Sequence, residues 1–363
     1  MIAPAVTSAR LGSRRTAVRL GPVSFRWRPR TFAVLIVATV VAVVLAVTSL
    51  GVGDFSMGFL RVIEVLGGGG TSTEHLIIYN LRLPRIALAI LVGASLAISG
   101  ALVQTTARNS LASPDLLGVT SGAGAGAVAV IVLGGAGTTA SGILALVGTS
   151  TAALIGGFVA AGLVAALLRL SGGGGLRPLL IGIGVSAFFG GLTSWMLVQA
   201  KIDDAAKANA WLTGSLGGRG WTDVATVGVT LVASIIVLVP LSARLPTIEL
   251  GYDLARSLGV RVPAATTGLL AIAVVLAAIA SSVVGPIGFI ALVAPHLARL
   301  ACAAPRPPLA ASALIGTVLL LGSDFVARTA FAPILLPTGA ITSLVGAPFL
   351  VWLLVRSRKD GLR

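Results

Sequence analysis

Side chains able to do covalent chemistry are few in this chain of 363 residues, and their spacing gives them no partners. The lysines are Lys201, Lys207 and Lys359, and none follows the GxxxxGK[ST] loop that cradles nucleotide phosphates. His75 and His296 are isolated, so neither a nucleophile–base pair nor a histidine metal site is suggested. Cys302 is the single cysteine, which excludes an intramolecular disulfide and a cysteine metal cluster. No catalytic or metal-binding residue is nominated. The polar residues that invite a role are of another kind. Arg82 and Arg85 bracket a proline in LRLPR, and Arg328 follows Asp324 by four. Asn109, Ser113 and Asp115 lie in RNSLASPD, and LPTIELGYDLARSLGVRV (Leu245–Val262) mixes charges with regularly spaced leucines.

The elements that must position them are membrane helices. Hydrophobic residues make up 56% of the chain and charged ones 10%, where a soluble domain carries roughly a quarter charged. Several apolar runs exceed about 18 residues, enough to cross roughly 30 Å of hydrocarbon as helix. They do not alternate as barrel strands would. The expected fold is an all-α integral membrane protein of about ten spans: Phe32–Leu50, Arg85–Thr106, Leu116–Leu133, Ile143–Leu168, Leu179–Val198, Val224–Leu241, Ala264–Val283, Gly285–Leu297, Leu309–Ala327 and Thr338–Val355.

Residues 1–30 hold seven arginines and no acid, and form a basic tail ahead of a membrane domain covering 31–363. With the tail inside, the cytoplasmic segments carry 19 Lys/Arg and 4 Asp/Glu and the external ones 7 of each, so the whole net charge of +15 lies inside. That is the positive-inside pattern, with both termini in the cytoplasm. It explains the charge without nucleic acid. Ion-coupled carriers usually place carboxylates or broken helices near the midplane. The nearest carboxylate here is Asp324, toward an outer helix end, which disfavours an ATP-independent secondary carrier.

Arg82, Arg85 and Arg328 fall at external helix ends, against the charge bias. They either snorkel to the interface or form a basic collar for acidic residues of an extracytoplasmic partner. In Leu245–Val262, Leu250, Leu254 and Leu258 predict one stripe of a short helix stopped at Gly259. That helix either lies solvated at the interface or docks in a groove of a cytoplasmic partner. In GPIGFIALVAPHLAR (Gly285–Arg299), Pro286 and Pro295 read equally as packing kinks or hinges. Gly118, Gly122 and Gly126 share a helix face suited to bundle packing, subunit contact or a substrate path.

The stretches LRLPRIALAILVGASLAISGALVQ, RNSLASPDLLGVTSGAGAGA, ELGYDLARSLGV, GPIGFIALVAPHLARL, SDFVAR and LPTGAITSLVGAPF, in this order, closely resemble the FecCD-type permeases. These are membrane subunits of ATP-binding-cassette importers for iron–siderophore complexes, haem and vitamin B12. The resemblance implies a type II importer permease that translocates a ferric siderophore, or else haem or B12, across a bacterial cytoplasmic membrane. It implies a second permease, identical or related, an extracytoplasmic substrate-binding protein, and two ATPase subunits that bind ATP and magnesium. No cofactor is expected in this chain. By the resemblance, Arg82, Arg85 and Arg328 meet the binding protein. Gly251, Leu254, Ala255, Leu258 and Gly259 belong to a coupling helix seated in the ATPase, and Asn109 and Leu111 to a cytoplasmic gate. Ser110 stands where the family usually has proline.

Overall fold

The computed structural model describes residues 17–20, 23–26, 29–53, 55, 57–134, 148–171, 177–249, 251–331 and 334–360. In hydrocarbon every backbone N–H and C=O needs a partner within the protein, so long apolar runs settle as helices. In chain order these are α1 Pro29–Gly51, α2 Phe59–Leu66, α3 Ser72–His75, a π-helical turn Leu76–Arg82, α4 Leu83–Ala107, a 3₁₀ turn Pro114–Leu117, α5 Val119–Gly134, α6 Thr149–Leu170 and α7 Arg177–Gln199. There follow α8 Ile202–Leu212, α9 Trp221–Ser242, α10 Leu245–Glu249, α11 Tyr252–Ser257, α12 Val262–Val284, α13 Ile290–Ala301, α14 Leu309–Thr329 and α15 Thr338–Asp360. Among the described residues the exception to helix is an antiparallel hairpin in the basic tail, β1 Ala17–Leu20 with β2 Val23–Arg26, where Ala17 lies opposite Arg26.

Among the described residues seven helical stretches are long and apolar enough to cross a membrane: α1, Ser72–Ala107, α6, α7 from Leu180, α9, α12 and α14. Helices α5, α13 and the apolar part of α15 are shorter. Each of the ten expected spans falls on one of these, although residues 143–147 of the fourth lie outside the described residues.

Three differences from the sequence reading have local causes. The second span starts not near Arg85 but at Ser72, because Thr71 and Glu74 form a reciprocal capping box that opens the helix early. The eighth is not helical from Gly285. Gly285 has φ +77 and Phe289 φ +68, and helix begins only at Ile290. Its 12 residues extend about 18 Å, well short of the hydrocarbon thickness. Irregular backbone at that depth needs protein around it, and Ile287 and Ile290 are buried. Finally α8, unforeseen, lies between α7 and α9 with Asp203 and Asp204 in its first turn, where acids favour the helix dipole.

Helix α4 is the hub. It is buried over most of its length while α1 and α9 are largely exposed, and it packs on α9, α12, α13 and α14. With apolar lipid as solvent, close packing and interhelical hydrogen bonds must hold such a bundle. A Cβ on Gly93 would lie 2.6 Å from the Gly316 carbonyl oxygen, so α4 and α14 meet backbone to backbone. Ser99 Oγ donates to the Ala273 carbonyl (2.6 Å), Gln104 Nε2 to that of Leu292 (3.0 Å), and Thr317 Oγ1 to that of Ile90 (3.0 Å). These bonds tie α4 to α12, α13 and α14. The Gly122–Gly126 face takes the first of its three readings: Cβ atoms there would overlap the carbonyl oxygens of Gly156 and Ala152 on α6. Gly118 instead sits in the left-handed region (φ +73) between the 3₁₀ turn and α5.

Candidate functional site

At the end of the bundle that carries Arg82, a cavity of about 550 Å³ is lined by Arg82, Arg85, Arg219 and Arg328, with Phe55, Asn80 and Leu335 among their neighbours. The π-helical turn delivers Arg82 and the first turn of α4 delivers Arg85; α14 delivers Arg328, and the loop between α8 and α9 delivers Arg219. The sequence reading grouped three of these arginines, and the fold brings them together.

Three of the four have internal partners. Asp324, with its side chain 4% exposed, accepts from Arg85 Nε (3.1 Å) and Nη2 (2.8 Å), forming a forked ion pair across α4 and α14. The Nε of Arg328, one turn on, lies 3.2 Å from the other carboxylate oxygen, and Thr338 Oγ1 donates to Asp324 at 2.9 Å. Arg82 is buried and donates to the carbonyl oxygens of Leu50 and Phe55. Arg219 is different. Its Nε is buried without a hydrogen-bond partner, although its lower neighbour in the chain, Gly218, is exposed.

At the opposite end, α4 stops where Arg108 turns left-handed (φ +51). Asn109 then builds a compact turn: its Oδ1 accepts from the Leu111 N–H (2.9 Å) and its carbonyl from the Ala112 N–H (3.1 Å). Ser110 occupies the second position of that turn, where proline is favoured but most residues are accepted; the Asn109 side chain closes the turn in its place. Asn109 and Leu111 face separate cavities. Asn109 joins Gln104, Arg108, Arg299 and Arg306 around about 370 Å³. Leu111 joins Ser113, Asp115, Gly288, Phe289 and Leu350 around about 340 Å³. The break before α13 therefore borders the same space as the loop after α4. Burial pushes the Asp115 carboxyl above its ordinary range, with a Thr120 hydrogen bond opposing.

The segment expected to be one amphipathic helix is two, α10 and α11, divided at Gly251, whose φ of +118 no continuous helix permits. Leu250 of the expected stripe lies outside the described residues. Leu245, Ile248 and Ala255 are buried anchors, while Leu254 and Leu258 are 49% and 61% exposed. Gly259 (φ +80) stops the helix as the sequence implied, with its N–H and that of Val260 returning to the Arg256 and Ala255 carbonyls.

A sequence profile of the FecCD transport family matches residues 22–356. The chain belongs to the FecCD transport family. It is 36% identical over 330 residues to the ferric enterobactin transport system permease protein FepG of Escherichia coli K12, covering 91% of this chain and 97% of that one. It is 37% identical over 329 residues to the achromobactin transport system permease protein CbrC of Dickeya dadantii, covering 88% and 90%. A solved structure described as an inward-facing conformation of a metal-chelate type ABC transporter superimposes with a TM-score of 0.74 at 29% identity, covering 90% of this chain and 99% of the other.

Within this FecCD permease, sequence reasoning overlooked Arg219 and the reach of Asp324. Arg219 stands in a glycine-rich loop, GSLGGRG, that reads as connector. Asp324 and Arg328 show their i,i+4 relation in the sequence, but Arg85 lies 239 residues away and only the α4–α14 crossing supplies it.

Proposed function

We propose that this chain is the permease of an importer for ferric siderophore complexes in a bacterial cytoplasmic membrane, with both termini in the cytoplasm. In this reading two ATP-binding-cassette ATPase subunits, carrying ATP and magnesium, dock inside, an extracytoplasmic substrate-binding protein docks outside, and a second permease completes the pathway. The observation that carries it is the convergence of four arginines on one cavity at the end that the charge bias assigns to the outside. An acidic protein surface is steered to such a site, and its register is fixed there. This chain performs no covalent chemistry. Leu254 and Leu258, exposed at the other end, are the contact offered to the ATPase. Closure of the ATPase pair moves α10 and α11, and through them the Asn109–Ala112 turn beside the cavity that Leu111 lines. Membership of the FecCD family sets the secondary-carrier alternative aside.

The names of the enterobactin and achromobactin relatives favour a siderophore as cargo. Uptake by a deletion strain, offered labelled ferric catecholate, ferric hydroxamate, haem and vitamin B12 in turn, tests this. Loss of ferric siderophore uptake, restored by the gene, is expected. Loss confined to haem or B12 would overturn the cargo assignment.

A further inference from the structure

Two helix ends frame the cavity of about 370 Å³ at the Asn109 end, and both close in the same way. After α4, the N–H groups of Arg108 and Asn109 return to the carbonyls of Thr105 (3.3 Å) and Gln104 (3.1 Å). After α13, those of Ala303 and Ala304 return to Leu300 (3.2 Å) and Arg299 (3.1 Å). Such a closure seats one residue in the left-handed region, where glycine is the usual occupant. Here the occupants are Arg108 (φ +51) and Ala303 (φ +44), two of the three non-glycine residues with positive φ among the described residues. Ala303 offers only a methyl group. At Arg108 a strained seat keeps a guanidinium that glycine would remove while relaxing the backbone, and such outliers gather where a ligand is held.

Arg108 from the end of α4, half-buried Arg299 from the last turn of α13 and Arg306 from the loop before α14 reach this cavity from three segments. No carboxylate joins them in its lining. Among the described residues the side chains of Arg108 and Arg299 make neither a hydrogen bond nor an ion pair. Asn109, whose Oδ1 accepts from the Leu111 N–H, keeps its Nδ2 for a further acceptor. The plain alternative is that these arginines only offset the helix dipoles. Two C-termini present about one negative charge between them, and Arg108 and Arg299 already outweigh it before Arg306 is counted. The surplus suits an anion with several oxygens, which guanidinium groups take by parallel N–H bonds.

The surroundings point to lipid as its source. Arg30 Nε donates to the Ala301 carbonyl (2.7 Å), so the largely exposed α1 begins beside the end of α13. Leu300, next to Arg299, is 42% exposed. A basic pocket between membrane helices with apolar surface at its rim fits a phospholipid, its phosphate among the arginines and its acyl chains outside. The volume lies within the ~300–1,000 Å³ of small-ligand clefts.

We propose that this cavity holds the phosphate of an anionic phospholipid, with Arg108, Arg299 and Arg306 around it. The leaflet is the cytoplasmic one in the orientation proposed above, and the inference rests on that reading for this detail alone.

The test uses the full chain purified in detergent micelles and offered phosphatidylglycerol or phosphatidylcholine at equal mole fraction. Bound lipid is counted by native mass spectrometry, and stability is followed by a thermal melt. The parent is expected to retain phosphatidylglycerol at least about fivefold over phosphatidylcholine and to melt higher with it. Arg108→Gly should lose about tenfold in that retention, as befits a charge-assisted contact, yet melt at or above the parent without lipid. An arginine with a purely structural task would show the reverse. Arg299→Gln should lose retention likewise, and Arg299→Lys should recover part of it. Equal retention of the two lipids, or Arg108→Gly and Arg299→Gln both within twofold of the parent, overturns the proposal. Stabilisation by inorganic phosphate with no preference between the lipids overturns it in favour of a soluble anion. Micelles carry no orientation, so these failures leave the importer reading standing. Labelling of Arg108→Cys from outside intact cells would instead sink that orientation and leave the site in place.

Discussion

Asp324 joins a forked arginine, a second arginine and a threonine hydroxyl where three segments meet, and almost none of it reaches solvent. A buried pair of this kind contributes little beyond a well-packed apolar substitute, but removing one member strands the other. Asp324→Asn should therefore lower stability by about 3–5 kcal/mol, the range for breaking a buried pair, with Arg85 partly relieved by its remaining exposure. A thermal melt in detergent checks it, and a change under about 1 kcal/mol would place the pair among surface ion pairs. The same chemistry predicts the opposite outcome at Asp115. Burial raises its carboxyl above the ordinary range, so the charge is less favoured there than in water, and asparagine keeps the shape without the charge. Asp115→Asn should leave the melt within about 0.5 kcal/mol of the parent and uptake intact. A large loss of uptake with a normal melt would assign the charge a direct part in transport.

Pairs of helices impose their own tests. Gly126 lets α5 lie against the Ala152 carbonyl of α6, so Gly126→Ala should cost about 1–3 kcal/mol through overpacking, measured by the same melt. Leu254 on α11 and Leu258 just after it leave about half or more of their surface uncovered. Replacing both with glutamate should leave the fold unchanged and abolish co-purification with the ATPase; retained co-purification would remove α11 from that interface. The sequence made these elements visible to different degrees. Apolar length alone located the crossing helices, because hydrocarbon allows a lone crossing segment little else, whereas the short α8 carries no such signal. The split at Gly251 was hidden, since leucines four apart fit one helix, and only the left-handed backbone breaks it. The break before α13 was half legible: Gly285-Pro286 marked it, but the seam with Gly214 and Gly339 is a long-range contact. The Thr71–Glu74 capping box was present in the sequence as T-x-x-E, masked by the length of the apolar run after it.

Across the whole molecule, the Arg82 end and the Asn109 end are joined by α4, Leu83–Ala107, which also fills the centre of the bundle. Apolar length located that helix and the charge pattern predicts that its Arg82 end faces outward, while its place as hub came only from the packing. The convergence of Arg219 on the same cavity was not legible, because its glycine-rich loop is brought there only by the fold. The energy source is the claim on which the rest depends. The sequence contains no GxxxxGK[ST] motif, and Asp324, the carboxylate of α14, is committed to arginines. It is measured most directly by reconstituting permease, ATPase and binding protein in proteoliposomes without ion gradients and following labelled ferric siderophore. Uptake that requires ATP on the ATPase side and binding protein on the other is the predicted result. Uptake without ATP, or uptake that appears only when a proton or sodium gradient is imposed, would contradict it.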